Sequence, residues 1–190
     1  MKKIILASQS PRRKQLLAWA EIPFEVVVKE TEEIFHPHLT VKEAAIEVAK
    51  QKALAVRQLV TPGSIILAAD TIVVLKGRII GKPANRLEAI RILQDLSRQK
   101  HIVITAVVIT DGEKEISFTD STEVYFHELT TEQIEFYVDK YQPYDKAGAY
   151  AIQEWIGVIG IQSINGDFYN VMGLPVSRVV KALQSFNETG

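Results

Sequence analysis

The sequence contains no cysteine and carries little net charge, and both absences limit what the chain can do. Without cysteine, disulfide bonds, thiol catalysis and thiolate metal sites are excluded. The formal net charge of -1 provides no bulk attraction to nucleic acid or to an anionic membrane. We therefore expect no direct binding of nucleic acid.

The sequence also lacks long apolar runs and the glycine-rich phosphate-binding loop of kinases and GTPases. The N-terminus has two lysines but only a brief apolar run, which is unlike a signal peptide, and no stretch is long enough to span a bilayer. These absences predict a cytoplasmic protein with no membrane partner. There is no glycine-rich loop ending in Lys-Ser or Lys-Thr, which argues against the mechanism of kinases and GTPases.

What is present is an ordinary globular composition in a chain of 190 residues. This length suits one substantial core and is short for two independent domains. We expect a single domain over residues 1–190 that is divided into two lobes.

Helix and strand signals alternate along the chain. The patterns predict helices at 11–20, 41–59, 86–96 and 131–140, with another that begins at Pro175. They predict strands at 3–6, 25–29, 64–75, 78–80, 101–110 and 115–127, followed by irregular strands at 150–169. Because the chain contains both hairpins and helical crossovers, we expect an α/β (mixed α+β) fold with a mixed sheet.

The segment from Leu6 to Arg13 has the pattern of a phosphate cradle between a strand and a helix. Ser10 suits the N-cap position and Pro11 the first helical position. The amides of Arg12 and Arg13 would then lie at the positive end of the helix dipole, and their guanidinium groups would add donors for phosphate. The segment alone also permits a simpler interpretation, a capped helix with solvated arginines.

Two charged residues interrupt apolar patterns. Asp70 lies between the runs 65–69 and 72–75, where a buried carboxylate is costly unless it is paired, metal-bound or near a cleft. A structural aspartate that accepts backbone hydrogen bonds at a bulge is the alternative. Lys52 lies on the apolar stripe of its predicted helix, although its long side chain could also reach solvent.

Two loops hold further candidates. Lys82 occupies a turn between Gly81 and Pro83, which would fix a cation at the end of a hairpin. The acidic loop at 30–39 contains Glu32 and Glu33, which could supply a second carboxylate for a metal or could simply be solvated.

These motifs together resemble the Maf family of nucleoside triphosphate pyrophosphatases, and the likeness extends over nearly the whole chain. The segments that match the family pattern are 6–13, 69–71, 81–83, 145–150, 152–153 and 170–175. Two departures occur: Arg98 follows Ser97 where the family usually has glycine, and Glu154-Trp155 follows Gln153 where a glycine is usual. The resemblance implies an elongated fold like that of inosine triphosphatase, with a central mixed β-sheet flanked by helices and two lobes around a cleft.

The resemblance also implies an activity and roles for individual residues. The reaction would be hydrolysis of a nucleoside triphosphate between its α- and β-phosphates, for nucleotide-pool house-cleaning or control of septum formation and cell division. Asp70 would accept the proton from water, and Asp70 and Glu33 would hold a divalent metal cation, Mg²⁺ or Mn²⁺. The residues implied to bind the triphosphate are Ser8, Ser10, Arg12, Arg13, Lys52 and Lys82. The resemblance also implies that Lys52, Lys82 and Glu33 are catalytic together with Asp70.

Base selectivity is where the family divides. The branch that acts on dTTP and UTP has residues that match Arg12, Thr71 and Gln153, whereas the branch that acts on 7-methyl-GTP has a glutamate in place of this glutamine. A glutamine amide can pair with both the N3–H and a neighbouring carbonyl of uracil or thymine. The alternatives are a 7-methyl-GTP pyrophosphatase and a nucleotide-binding regulator of septum formation with little turnover. A homodimer is compatible with the sequence.

Overall fold

The computed structural model describes residues 2–31 and 38–186. Its strands are β1 (Ile4–Leu6), β2 (Glu25–Val26), β3 (Ile65–Leu75), β4 (Arg78–Ile80), β5 (Lys100–Thr110), β6 (Glu115–Phe126) and β7 (Ile161–Asn165). Its α-helices are α1 (Pro11–Trp19), α2 (Val41–Arg57), α3 (Arg86–Leu96), α4 (Thr131–Tyr141), α5 (Trp155–Gly160), α6 (Phe168–Met172) and α7 (Val176–Gln184). A short 3₁₀ helix occupies Ala147–Ala149.

The seven strands of the described residues belong to one mixed sheet, with the order β2-β1-β3-β5-β6-β7 and with β4 paired to β3. Strand β1 pairs in parallel with both β2 and β3, whereas β4 and β7 pair antiparallel to β3 and β6. The helices alternate with these strands along the chain. The predicted α/β fold with a central mixed sheet flanked by helices is confirmed.

Local capping signals place the helix starts correctly. Capping boxes form at Thr40 before α2 and at Thr130 before α4. In each, the threonine hydroxyl accepts from the third helical amide, and the side chain at that position accepts from the threonine amide. Asn85 caps α3 by accepting from the amide of Glu88. These starts depend on contacts within four residues, which a sequence pattern contains.

The prediction of irregular strands at 150–169 is wrong in most of its length. Apart from β7, the segment contains helix α5 and the start of α6. A methyl group on Gly157 would collide with the Ile152 carbonyl, and one on Gly160 would lie 2.8 Å from Leu129 Cδ2. The two glycines therefore allow close packing, whereas the β-branched residues between them suggested a strand.

Two other boundaries differ from prediction by two residues or more. Helix α2 ends at Arg57 rather than Leu59, and the Leu59 side chain is 55% exposed. Strand β2 contains only Glu25–Val26 instead of the predicted 25–29.

The chain divides into two compact units. The described residues of unit 1 fall within Met1–Asp70, Thr105–Asp120 and Gly173–Gly190, and those of unit 2 within Thr71–Ile104 and Ser121–Met172. Unit 1 buries apolar side chains of β1, α1, α2 and the first half of β3, and unit 2 buries those of α3, α4 and α5. No helix in the described part of the chain is long and apolar enough to cross a membrane.

Candidate functional site

Asp70 and Lys52, two of the predicted catalytic residues, form an ion pair within unit 1. Asp70 lies in β3 and is 7% exposed, between residues that favour a buried strand. Lys52 lies on α2, and its ammonium donates to Oδ1 of Asp70 at 2.7 Å. The sequence pattern indicates each residue separately, because each is a charged residue among apolar ones. The structure shows that each charge offsets the other, because two part-buried ions need a close partner of opposite sign.

The predicted phosphate cradle has the expected backbone but an unexpected capping arrangement. Ser10 is the N-cap of α1 and Pro11 follows it, yet the Ser10 side chain makes no capping hydrogen bond. The Ser10 amide instead donates to Ser8 Oγ at 3.3 Å. The start of α1 therefore keeps backbone N–H groups at its positive end, where an anion is stabilised.

Arg13 is buried and donates to two protein acceptors in unit 1. Its Nη1 donates to Ser8 Oγ at 2.9 Å, and its Nε donates to the carbonyl of Gly173 at 2.9 Å. Because Ser8 Oγ accepts from both Arg13 and Ser10, its hydroxyl hydrogen can point away from them toward a ligand. Arg12, the next residue toward the N-terminus, is only half-buried. The two arginines therefore differ in how deeply they are buried.

The residues that would hold a divalent metal are described only in part. Glu33, the second predicted metal carboxylate, lies outside the described residues, as does Glu32. Within residues 2–31 and 38–186, no group of three or more His, Cys, Asp or Glu side chains is arranged to hold a metal ion. Mg²⁺ at nucleotide sites commonly uses one or two carboxylates together with substrate phosphates and water. The Asp70 carboxylate fits that donor chemistry.

Lys82 lies in unit 2, in the segment that follows β4, and the motif at 145–150 contacts this segment. The amide of Gly148 donates to the carbonyl of Gly81 at 3.1 Å, and Lys82 itself is exposed. Gly148 has φ +72, and a Cβ at this position would lie 3.0 Å from Val73 Cγ2. A side chain at Gly148 would therefore strain the backbone and crowd β3. The motif at 145–150 thus holds the segment that carries Lys82.

Thr71 and Gln153, the predicted base-selecting residues other than Arg12, also lie in unit 2. Both are half-buried. Oε1 of Gln153 is buried and accepts no hydrogen bond from any residue that the structure describes. A buried amide oxygen without a donor is costly, so a ligand N–H at this atom would satisfy it.

Sequence reasoning missed a polar network beside Gln153. Tyr137, on α4, donates a hydrogen bond to Oε2 of Glu154, and its hydroxyl accepts from the amide of Ala151 at 3.2 Å. Lys146 Nζ lies 3.6 Å from Oε1 of the same glutamate. Tyr137 has the spacing of a core residue on α4, and it is completely buried. Its helical spacing therefore indicates only that the ring packs in the core, and the sequence pattern does not indicate the hydrogen bond to Glu154.

Within each unit, then, the structure groups some of the predicted residues. Unit 1 brings Lys52 to Asp70 and Arg13 to Ser8, with Ser10 and Arg12 at the start of α1. Unit 2 holds Thr71 in a strand, Gln153 in a turn, and Lys82 next to the Gly81 carbonyl that accepts from Gly148. Their roles in catalysis and binding stay predictions.

Comparison with known proteins gives extensive matches. Residues 3–186 match the family model described as Maf-like protein. The dTTP/UTP pyrophosphatase of Cytophaga hutchinsonii is 50% identical over 181 residues, which are 95% of this chain and 83% of that protein. The dTTP/UTP pyrophosphatase of Bacillus cereus strain G9842 is 49% identical over 187 residues, which are 98% of this chain and 97% of that protein.

Among solved structures, the Staphylococcus aureus Ham1 protein matches 98% of each chain with 17% identity and a TM-score of 0.48. The family match extends over the segments that carry the Lys52–Asp70 pair, the start of α1, Lys82 and Gln153. The resemblance inferred from the sequence motifs is confirmed, and this chain belongs to the Maf-like protein family.

Proposed function

We propose that this chain is a nucleoside triphosphate pyrophosphatase that hydrolyses dTTP and UTP to the monophosphate and pyrophosphate. The observation that carries the proposal is the Lys52–Asp70 pair, which keeps a carboxylate and an ammonium together in unit 1. A protein that only binds nucleotide needs cations but has no need for a buried carboxylate in a strand. The names of relatives that are 44–50% identical support this activity and this choice of bases.

The triphosphate would be bound by cations and by directed donors. Lys82 and Arg12 provide positive charge, and the amides at the start of α1 provide donors along the helix dipole. Ser8 would donate its hydroxyl hydrogen, because Ser10 and Arg13 already donate to its oxygen. In this proposal Arg13 contributes partly by fixing Ser8. Most of the catalytic effect would come from positioning and charge neutralisation.

In the chemical step, water attacks the α-phosphorus and the bond to the bridging oxygen of the β-phosphate breaks. Asp70 accepts the proton that the water loses, and pyrophosphate leaves with the bridging oxygen. The Lys52 ammonium, 2.7 Å from Oδ1 of Asp70, offsets the carboxylate charge beside an anionic substrate. A general base of this kind typically contributes about 10²–10⁴-fold to the rate.

A divalent cation, Mg²⁺ or Mn²⁺, would be held by Asp70 and Glu33 together with substrate phosphate oxygens. When bound, it would neutralise charge on the phosphates. Asp70 alone already has suitable donor chemistry, and Glu33 stays a prediction because it lies outside the described residues.

Gln153 would read the base. The N3–H of uracil or thymine can donate to Oε1, which accepts no hydrogen bond from the described residues, and the amide NH₂ can donate to a base carbonyl. Cytosine has no hydrogen at N3, so it would leave Oε1 without a donor. Such a mismatch is strongly rejected when the polar group is buried. Thr71 follows Asp70 directly in the chain and would add a hydroxyl near the nucleotide.

The test is hydrolysis of UTP, dTTP, CTP, GTP and 7-methyl-GTP with Mg²⁺ or Mn²⁺, with phosphate measured before and after added inorganic pyrophosphatase. We expect the highest kcat/KM for UTP and dTTP, phosphate only after pyrophosphatase is added, and loss of activity in excess chelator. Release of orthophosphate and a diphosphate would contradict the proposed bond. Preference for 7-methyl-GTP would contradict the proposed base. Cytoplasmic location, a homodimer and a role in cell division stay predictions.

A further inference from the structure

The turn that carries Gln153 is fixed by more than its own backbone. The amide of Glu154 donates to the carbonyl of Ala151 at 3.1 Å, which closes a turn with Gln153 inside it. The Tyr137 hydroxyl accepts from the amide of Ala151 and donates to the carboxylate of Glu154. One buried hydroxyl therefore contacts both ends of this four-residue turn.

The Glu154 carboxylate is held on both of its oxygens. Oε2 accepts from Tyr137, and Oε1 lies 3.6 Å from the ammonium of Lys146, which is itself 8% exposed. Lys146 also contacts Asp145 at 2.7 Å, so the lysine is shared between two carboxylates. The Glu154 side chain is only 23% exposed, and a carboxylate with this little exposure needs such partners.

Helix capping by the Glu154 side chain does not account for this arrangement. Glu154 is the N-cap residue of α5, but its side chain makes no capping hydrogen bond. A charged group in this setting stabilises a fold no better than a well-packed apolar one. The polar partners do fix the direction of the chain on both sides of Gln153.

We propose that Tyr137 and Glu154 are positioning residues for base selection, which act by holding the Ala151–Glu154 turn so that the Gln153 amide keeps one orientation. This inference rests on the proposed function. A fixed amide loses less freedom when a base binds, and it cannot turn to accommodate a base with a different edge. The turn also follows Gly148, which anchors the segment that carries Lys82 through Gly81.

The test uses three variants, Tyr137→Phe, Glu154→Ala and Glu154→Gln, in the full chain with saturating Mg²⁺. We expect Tyr137→Phe and Glu154→Ala to raise KM for UTP about fivefold to tenfold, the size of one lost hydrogen bond, with a smaller change in kcat. The ratio of kcat/KM for UTP to that for CTP should fall by a similar factor. Glu154→Gln should retain most of the ratio, because its amide oxygen can still accept from Tyr137.

Two variants provide matched controls within unit 2. Tyr141→Phe removes a hydroxyl from the same helix, and its ring stacks on Tyr137. Glu128→Ala removes an exposed carboxylate that pairs only loosely, at 3.4 Å, with Arg98. Both should leave the UTP-to-CTP ratio unchanged. If Tyr137→Phe does not fold, Glu154→Ala carries the test, since its side chain is partly exposed.

A double-variant cycle separates positioning from general stabilisation. In a Gln153→Ala background, Tyr137→Phe and Glu154→Ala should change the base ratio no further, because the residue through which they act is gone. If the single variants lower the activity toward UTP and CTP equally, or if their effects add to that of Gln153→Ala, the positioning role is wrong. If the unmodified chain shows no preference for UTP, the proposed function fails instead.

Discussion

The two units hold their candidate functional residues by different means. In unit 1, the candidate catalytic and phosphate-binding residues pair directly with one another, Lys52 with Asp70 and Arg13 with Ser8. In unit 2, the key hydrogen bonds involve the backbone. Gly148 donates to the carbonyl of Gly81 beside Lys82, and the Ala151 amide donates to Tyr137 near Gln153.

This difference separates two kinds of function. A charged pair such as Lys52–Asp70 brings chemical groups together at a fixed distance, as proton transfer and charge neutralisation require. A turn that is held by backbone hydrogen bonds fixes the Cα position of its residue and leaves the side chain available to a ligand. We therefore expect substitutions in unit 1 to affect turnover and folding together, and those in unit 2 to affect recognition first.

The largest expected effect is at Asp70. Asp70→Asn keeps the size of the side chain and an oxygen that can accept from Lys52, but it removes the base. We expect kcat for UTP to fall by about 10²-fold or more, and the melting temperature to fall as well, because the part-buried Lys52 ammonium loses its partner of opposite charge. Steady-state kinetics and thermal melts measure the two quantities. The control is Asp111→Asn in the same unit, which removes a carboxylate paired with Lys2 and should keep normal turnover. A near-normal rate for Asp70→Asn would show that Asp70 is structural.

Arg13→Ala and Lys82→Ala compare the units directly. Loss of a charge-assisted phosphate contact is worth about 1.5–3 kcal/mol, so each variant should raise KM by at least tenfold. Arg13→Ala should also lower the free energy of unfolding by about 1–3 kcal/mol, because the Gly173 carbonyl loses a buried donor. Lys82 is exposed, and its removal should change stability by less than about 0.5 kcal/mol. Urea unfolding measures the stability of each variant, and steady-state kinetics measure its KM. Equal losses of stability in Arg13→Ala and Lys82→Ala would contradict the expected difference between the two units.

Gly148→Ala tests whether the motif at 145–150 supports Lys82. The residue has φ +72, and the added Cβ would lie 3.0 Å from Val73 Cγ2. Gly77 provides the matched control, since it has φ +79 but nothing within 4 Å of a Cβ. Gly77→Ala should cost about 1 kcal/mol from backbone strain alone, and Gly148→Ala about 2 kcal/mol or more. Only Gly148→Ala should also raise KM for UTP. If the two variants lose the same free energy of unfolding, crowding against Val73 does not contribute to the effect at Gly148.

The sequence was sufficient where the controlling contacts are local. The capping residues Thr40 and Thr130 define helix starts through partners three residues away. Asp70 and Lys52 were identified because each breaks an apolar pattern, a cost that is visible without knowing the partner. Their 2.7 Å pairing was not predictable from the pattern, because it depends on how α2 packs on β3.

Where tertiary neighbours decide, the sequence was insufficient or misleading. The sequence pattern predicts a strand where helix α5 lies, because Gly157 and Gly160 act through the tertiary neighbours Ile152 and Leu129, which a pattern does not show. The acceptor of Arg13 Nε is a carbonyl 160 residues away in the chain, and no spacing rule connects them. Every residue has a backbone carbonyl, so the residue type at position 173 does not indicate that its carbonyl accepts this hydrogen bond.

His101 in unit 2 should make stability depend on pH. Burial lowers its pKa from 6.5 to about 4, while Nε2 pairs with the Tyr150 hydroxyl at 2.7 Å. As pH falls below 6.5 the unfolded chain binds a proton that the folded chain does not, so stability is lost between about pH 6.5 and 4. The expected loss from pH 7 to pH 5 is about 2 kcal/mol. Urea unfolding at both pH values measures it.

His101→Gln should reduce that pH dependence, because a glutamine amide can bond to Tyr150 but does not titrate in this range. His127→Gln is the control, since His127 is exposed and its replacement should preserve the dependence. If the loss of stability between pH 7 and pH 5 is the same in His101→Gln as in the unmodified chain, another group is responsible.

The smallest expected effect is at Arg98, where the family resemblance predicts glycine. Arg98 directly follows the C-cap of α3 and has φ +57, in the left-handed region that a side chain disfavours. Arg98→Gly relieves about 1–2 kcal/mol of backbone strain but adds about 0.5–1 kcal/mol of chain entropy to the unfolded state. The exposed pair with Glu128 contributes almost nothing. We therefore expect a net gain of about 0.5–1 kcal/mol, which raises the melting temperature by about 1–4 °C.

Arg98→Ala, which removes the same ion pair but keeps the strain, should give no gain. A destabilised Arg98→Gly would show that the arginine side chain, rather than the backbone, determines this helix end. Because a backbone effect confined to this turn leaves Lys82 and Gln153 in place, kcat and KM for UTP should stay unchanged.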